Sequence, residues 1–171
     1  SGKDGNLIKA KRLSILDKNS DSNVEKAVDL GFVGEPSSIN VGVLNALISQ
    51  KMIPVISPVG IGNNGETYNI NADTAAGAIA SAMKASRMIM LTDVVGVLDA
   101  KQELLTELKI SEAKNLIQNK IVLGGMIPKL KTCISSVEEG VEASVILDGR
   151  LPHALLIELF TEHGIGTLIK K

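Results

Sequence analysis

Short apolar runs typical of buried strands alternate with helix-type segments along this chain of 171 residues, and this alternation limits its possible folds more than any other feature. When helices repeatedly follow strands, the strands pair in a mainly parallel sheet with helices on its faces. The sequence therefore predicts an α/β fold. The predicted strands are MIPVISPVGIG, TYNI, RMIML, ASVILDG and IGTLIKK, and the predicted helices are INVGVLNALISQKM, ADTAAGAIASAMKAS, SEAKNLIQ, MIPKLKTCISSVEEG and residues 152–161.

The first third of the chain has a looser pattern. Leu13 to Leu16 and Gly31 to Gly34 predict two short strands of an appendage, joined by the polar stretch DKNSDSNVEKAVD with a helical turn. Ser38 or Asn40 is placed to cap the helix that follows. The run MIPVISPVGIG, bounded by Pro and Gly, is typical of a strand buried on both faces, and the Asn-Gly step after it predicts a tight turn.

Composition excludes several classes of function. Lys and Arg number 18 against 19 Asp and Glu, and no long block of one sign occurs, so we expect neither a nucleic acid nor a membrane partner. With Phe32, Tyr68 and Phe160 as its aromatic residues, the chain lacks a stacking platform for single strands. The single cysteine, Cys133, cannot form an internal disulfide, which indicates a reducing, cytoplasmic location and a core position for its side chain.

Three motifs carry polar groups suited to chemistry. In LGGMIPKLK, two glycines let the backbone approach a ligand, and the helix that follows offers unpaired amide donors that favour phosphate. Lys129 lies one turn inside this helix, where an ammonium group could stabilise a transferring phosphoryl group. The same letters are also compatible with a glycine-flanked helix that carries a solvated lysine.

The second motif is YNINADTAAGA, in which strand alternation places the amides of Asn69 and Asn71 on one face. Those amides could bind a carboxylate or an amide of a substrate, and Asp73 in the first helical turn could position lysines or help place Mg²⁺. An ordinary helix cap at Asn71 or Asp73 explains the same pattern.

The third motif, LTDVVGVL, is a strand that ends in Thr92 and Asp93 and is followed by Gly96. Ligands of open parallel sheets bind at the carboxyl ends of strands, although a simple strand exit with Asp93 in a turn would have the same sequence. The patterns GxxxxGK[ST] and GxGxxG are absent, which argues against a P-loop or a Rossmann dinucleotide site.

In this order, NxNAD, LTDVxGVL and GGMIPK resemble the acetylglutamate kinase branch of the amino acid kinase family, and the resemblance covers essentially the whole chain. It implies a three-layer α/β/α sandwich, the amino acid kinase fold. It also implies a cytoplasmic enzyme of arginine biosynthesis that uses ATP and Mg²⁺ to phosphorylate the side-chain carboxylate of N-acetyl-L-glutamate. Two alternatives stay open, which are acetylaminoadipate kinase and a non-catalytic nucleotide or amino-acid sensor on the same fold.

The resemblance also implies roles for individual residues. Lys129 would stabilise the transition state, Asp73 would orient the catalytic lysines, and Asn69 with Asn71 would bind the acyl substrate. Residues of the carboxyl end, LPHALLIELFTEHGIGTLIKK, resemble those of members that L-arginine inhibits, which implies an arginine site that includes His153, Glu162 and Gly164. The nucleotide-binding residues it implies are Thr92, Asp93, Val94, Val95, Gly96, Val97, Leu98, Ile121, Val122, Leu123 and Gly125.

The family pattern divides the chain into a partial acyl-substrate lobe, residues 1–85, and a nucleotide lobe, residues 86–171. The glycine-rich loop that carries the family's other catalytic lysine has no counterpart here, so we expect an amino-terminal part to be missing and the chain alone to be inactive. No protein ligand set for a metal is expected. A homo-oligomer is implied by the family.

Overall fold

The computed structural model describes residues 1–17, 26–161 and 164–171. The chain divides into two compact units, Ser1–Ile79 and Ala80–Lys171, with the boundary inside the second helix. Each unit contains one of two β-sheets. No helix in the described part of the chain is long and apolar enough to cross a membrane.

The first unit contains a closed four-stranded barrel in the order β1, β2, β4, β3. Buried side chains of Ile8, Ala10, Tyr68 and Ile70 belong to its strands. The antiparallel pair β1 and β2 makes two of the four barrel strands, so the predicted appendage is wrong. The segment DKNSDSNVEKAVD, for which a loop with a helical turn was predicted, lies in part outside the described residues. The elements of this unit are β1 (Ile8–Asp17), β2 (Lys26–Ile39), α1 (Val41–Ser49), β3 (Val59–Ile61), β4 (Thr67–Ile70) and the start of α2 (Ala72–Met83).

The predicted strand MIPVISPVGIG forms only at its end. Val59–Ile61 pairs antiparallel with β4 across the predicted Asn-Gly turn, where Gly65 has a φ of 88°. The preceding side chains of Ile53 and Val55 are 90% and 93% exposed, so the prediction of burial on both faces is wrong. Pro54 and the proline that precedes β3 have no amide hydrogen for a sheet ladder, which explains why the strand starts late.

The second unit contains a four-stranded sheet in the order β5, β7, β8, β6, and helices pack on both of its faces. The pairs β5 with β7 and β6 with β8 are parallel, and β7 with β8 is antiparallel. The predicted α/β class is therefore confirmed, and the strands of the described residues lie in two sheets. The elements of this unit are the end of α2, β5 (Arg87–Thr92), β6 (Glu107–Lys109), α3 (Ile110–Gln118), α4 (Met126–Glu138), β7 (Ala143–Asp148), α5 (Ala154–Phe160) and β8 (Thr167–Lys170).

Side-chain alternation along the strands produces the three layers of this unit. On one face, Met88 and Ile146 pack with Leu130 and Cys133 from α4, so the predicted core position of Cys133 is confirmed. On the other face, Leu147 and its neighbours pack against α5. The strand β5 is not buried throughout, because it alternates buried and exposed side chains. Helices therefore cover both faces of the sheet and leave the ends of its strands uncovered.

The predicted helices are confirmed, with ends that differ by a few residues. Asn40 is the N-cap residue of α1, yet its side-chain amide donates to Gly5 O at 2.9 Å and makes no cap hydrogen bond, so the predicted capping role is wrong. Gly140, with a φ of 110°, follows the end of α4 as predicted.

Candidate functional site

A cleft of about 550 Å³ lies beyond the carboxyl end of β5 in the second unit. The parallel pair β5 and β7 aligns Thr92 with Asp148, so both strands end at the same edge. This is the edge at which open α/β sheets place ligands. The residues that line the cleft are Thr92, Asp93, Val94, Gly96, Leu98, Gln102, Ile121, Val122, Leu123, Gly125, Met126 and Lys129.

One wall of the cleft is glycine-rich and leads into α4. A Cβ added at Gly124 or Gly125 would meet no atom within 4 Å, and Gly124 has a φ of 55°. Among the described residues, no side-chain hydrogen bond caps the start of α4 at Gly125. Open space beside exposed backbone amides at a helix start suits an anionic group.

Lys129 projects from the first turn of the same helix, is partly buried and lines the cleft. Its position next to the glycine-rich wall brings a fixed cation to the place where the backbone amides favour negative charge. On the strand side, Thr92 Oγ1 donates to Asp93 Oδ1 at 3.2 Å. The cleft thus combines an apolar lining, from Val94, Leu98 and their neighbours, with a few polar groups, as small-molecule sites do.

The loop after β7 is stiffened by an ion pair beside this edge. Arg150 donates from Nε and Nη2 to Asp148 at 2.9 and 2.8 Å, and its backbone amide donates to the same carboxylate at 2.9 Å. These hydrogen bonds lower the pKa of Asp148 from its ordinary 3.8 to about 2. Gly149 N also donates to Thr92 O at 2.8 Å, so the turn after β7 is fixed to the end of β5.

The lowered pKa of Asp148 predicts an acid-sensitive contribution to stability. Because the carboxyl group is more acidic in the folded chain, its contribution is complete above about pH 4 and is lost as the pH falls through about 2. We expect Asp148→Asn to lower the urea midpoint at neutral pH and to flatten its fall between these pH values. Glu138→Gln, at the exposed pair with Lys114, is the control. Identical acid profiles for wild type and Asp148→Asn would contradict the prediction.

The structure brings most of the predicted nucleotide-binding residues into this one cleft, together with Lys129. Val95 and Val97 do not line it, because Val95 is 44% exposed elsewhere on the loop and Val97 is buried. Gln102 and Met126 line the cleft and were not predicted. Met126 could have been predicted from the sequence, because it directly follows the glycine pair. No sequence signal indicates Gln102.

The other predicted residues of the substrate site belong to the first unit. Asn69 is exposed on β4, between partners Val33 and Val59. Asn71 follows that strand, and its Oδ1 accepts from Thr74 N at 3.1 Å, so it caps α2. Asp73 lies in the first turn of α2 and is partly buried. No group of three His, Cys, Asp or Glu able to hold a metal ion occurs among the described residues.

A second cavity of about 480 Å³ lies in the second unit and contains a buried carboxylate. The side chain of Glu158 is 6% exposed, lies 3.9 Å from Arg87 Nη1 and accepts from Ile165 N at 3.1 Å. Of the residues predicted for an arginine site, Gly164 lines this cavity, His153 is exposed at the start of α5, and Glu162 lies outside the described residues. The cavity is lined by Arg87, Thr106, Glu107, Glu158, Thr161, Gly164, Gly166 and Leu168.

The second unit is therefore an α/β module with a cleft for an anionic small molecule at its strand ends. The model of the amino acid kinase family matches residues 2–148, and this chain belongs to that family.

Curated relatives match the chain over nearly its whole length. It is 58% identical over 170 residues to the acetylglutamate kinase of Gluconobacter oxydans, and the match covers 99% of this chain and 58% of that protein. It is 54% identical over 170 residues to the acetylglutamate kinase of Methylobacterium nodulans, with 99% and 56% covered. The chain thus spans little more than half the length of these relatives.

Solved structures agree on the fold. The N-acetylglutamate synthase of Neisseria gonorrhoeae, complexed with coenzyme A and L-arginine, is similar with a TM-score of 0.86 and 26% identity, over 98% of this chain and 37% of that one. The carbamate kinase of Giardia lamblia bound to AMP-PNP has a TM-score of 0.62 and 24% identity, over 92% and 52%. The second likeness concerns the fold alone.

Proposed function

We propose that this chain is part of an acetylglutamate kinase, which transfers the γ-phosphoryl group of ATP to the side-chain carboxylate of N-acetyl-L-glutamate. The observation that carries the proposal is the identity of 54% to 58% to acetylglutamate kinases over nearly the whole chain. In this reaction the carboxylate oxygen attacks the γ-phosphorus, the bond to the β-phosphate bridge oxygen breaks, and an acyl phosphate and ADP leave. Arginine biosynthesis in the cytoplasm is the proposed context.

In the proposed reaction, the cleft at the end of β5 binds the nucleotide. The amides at Gly124 and Gly125 receive phosphate oxygens, and the ammonium group of Lys129 stabilises the charge that develops as the phosphoryl group moves. The family resemblance implies that Val95 and Val97 contact the nucleotide. We propose that they act indirectly, because neither residue lines the cleft. Residues 86–171 would then act as the nucleotide lobe.

Residues 1–85 would contribute to the acyl-substrate lobe. Asn69 is the proposed substrate contact, since its side chain is exposed on β4. Asn71 contributes chiefly by holding the start of α2, because its side-chain oxygen Oδ1 already caps that helix. Asp73, in the first turn of α2, is the proposed group that orients the catalytic lysines.

Mg²⁺ is proposed to enter as its complex with ATP. Magnesium is usually held by one or two carboxylates together with substrate phosphates, and Asp93 supplies a carboxylate that lines the cleft. When bound, the ion neutralises phosphate charge. A homo-oligomer is proposed from the family resemblance alone, and neither a nucleic acid nor a membrane partner is proposed.

Phosphoryl transfer by a full-length protein that carries this chain tests the proposal. We expect ADP release that depends on N-acetyl-L-glutamate, with the acyl phosphate trapped by hydroxylamine. A preference for N-acetyl-L-2-aminoadipate, whose side chain is one methylene longer, would favour the first alternative. Nucleotide binding without release of ADP for either substrate would favour the sensor.

We also propose that the second cavity binds the guanidinium group of L-arginine as an inhibitor. The buried carboxylate of Glu158 is the proposed partner, because a charge-assisted hydrogen bond in a sheltered cavity is strong. Gly164 would form part of the wall, and His153 and Glu162 are the further arginine-site residues that the family resemblance implies.

Glu158→Gln is expected to weaken binding of L-arginine by about tenfold or more, because the amide keeps an oxygen for Ile165 N but loses the charge. Calorimetry with the full-length protein measures the affinity. Glu142→Gln, at an exposed position of the same unit, is the matched control. Equal affinities of wild type and Glu158→Gln would exclude this carboxylate as the ligand.

A further inference from the structure

We propose that Thr167 is a positioning residue that fixes the nucleotide-binding loop, residues 93–98, against the sheet. The proposal rests on the proposed function, because it gives the loop its role as a wall of the nucleotide cleft. Thr167 is fully buried at the start of β8, and its Oγ1 accepts a hydrogen bond from Val97 N at 2.8 Å. The two residues are 70 positions apart in the chain.

The loop backbone packs directly on this side chain. Gly96 has a φ of 148°, a region that side chains rarely adopt, and a Cβ built there would lie 2.6 Å from Thr167 Oγ1 and 3.3 Å from Thr167 N. Glycine at this position therefore permits an approach that any other residue would prevent. Thr167 itself is held by pairing with Ile146 in β7, so the loop contacts a fixed element.

Hydrogen bonds hold Val97 through both its backbone amide and its backbone carbonyl group. Its amide donates to Thr167, and its carbonyl accepts from Leu105 N at 2.9 Å. The residues before and after it, Gly96 and Leu98, line the cleft. A change in the position of Val97 therefore moves two points of the cleft wall, although neither Val97 nor Thr167 lines the cleft.

The hydroxyl group is the part of Thr167 that the proposal requires. Thr167→Val keeps the size and branching of the side chain but leaves the buried amide of Val97 without an acceptor, which carries a desolvation cost. Thr167→Ser keeps the oxygen. We expect Thr167→Val to accelerate amide exchange at Val97 about tenfold and to weaken ADP binding by about fivefold to tenfold, and Thr167→Ser to stay within about threefold of wild type.

The test measures exchange of the Val97 amide by NMR and affinity for ADP by calorimetry, using a full-length protein that carries this chain and its variants. Ser136→Ala, which removes a buried hydroxyl group from α4 in the same unit, separates loss of positioning from general loss of stability. Unchanged exchange at Val97 in Thr167→Val would overturn the hydrogen-bonded contact. Faster exchange with unchanged ADP affinity, or an equal loss of affinity in Ser136→Ala, would overturn the positioning role.

Failure of the proposed function can be distinguished from failure of the proposal for Thr167. A wild-type full-length protein that binds no ADP would refute the nucleotide cleft itself and with it the role of Thr167 in nucleotide binding. A full-length protein that binds ADP but transfers no phosphoryl group would refute the proposed kinase activity, while the exchange and ADP measurements would still decide the role of Thr167.

Discussion

Lys129→Ala is expected to lower kcat for phosphoryl transfer by about 100-fold to 1000-fold in a full-length protein that carries this chain. The proposed transition state places extra negative charge on the phosphoryl oxygens, and Lys129 lies beside the glycine-rich wall where those oxygens would bind. The ammonium group interacts more strongly with the transition state than with bound ATP. KM for ATP should therefore change much less than kcat.

Lys131 provides the matched control for this experiment. It lies two residues further along α4, is exposed and does not line the cleft, so Lys131→Ala removes the same charge from the same helix. We expect its kcat to stay near that of wild type. If both variants lose activity equally, net charge or helix stability is responsible, and if Lys129→Ala retains its kcat, the proposed catalytic role is refuted.

Much of the cleft at the end of β5 could be predicted because its parts are local in the sequence. A strand that ends in Thr-Asp, a glycine pair and the helix after it are each contiguous motifs with their own physical signals. Parallel pairing of β5 and β7 then puts the strand end at the ligand edge. Apolar periodicity predicted the helices for the same reason, since each helix needs only one apolar stripe.

The features that could not be predicted depend on residues far apart in the chain. The apolar side chains of Ile53 and Val55 indicate a buried strand. Burial depends, however, on which elements cover these side chains, and both are exposed in this structure. Glu158 resembles any acidic helix residue until the fold places it in a cavity. Thr167 resembles an ordinary strand residue, because its partner, Val97, is 70 residues away. Barrel closure by β1 and β3 is equally non-local.

Gly96→Ala is expected to lower the free energy of unfolding of the chain by about 3 kcal/mol and to weaken ADP binding at the same time. Two costs combine at this position. The backbone has a φ of 148°, which alanine adopts only with strain, and the new methyl group would lie 2.6 Å from Thr167 Oγ1 and 2.7 Å from Leu104 Cδ1. Thr167 is buried and held in β8, so the loop has to move away from the sheet, which changes the cleft wall.

Gly124→Ala is the control for these costs. Gly124 also has a positive φ, of 55°, but a Cβ there would meet no atom within 4 Å, so the substitution adds backbone strain without a clash. We expect a loss of about 1 kcal/mol for Gly124→Ala, measured by urea unfolding at the same pH. Equal losses for the two variants would contradict the prediction, because neither the clash nor the φ of 148° would then add to the cost of a positive φ. A larger loss for Gly96→Ala is the expected result, because a φ of 148° is less accessible to alanine than one of 55° and because the loop packs closely against Thr167.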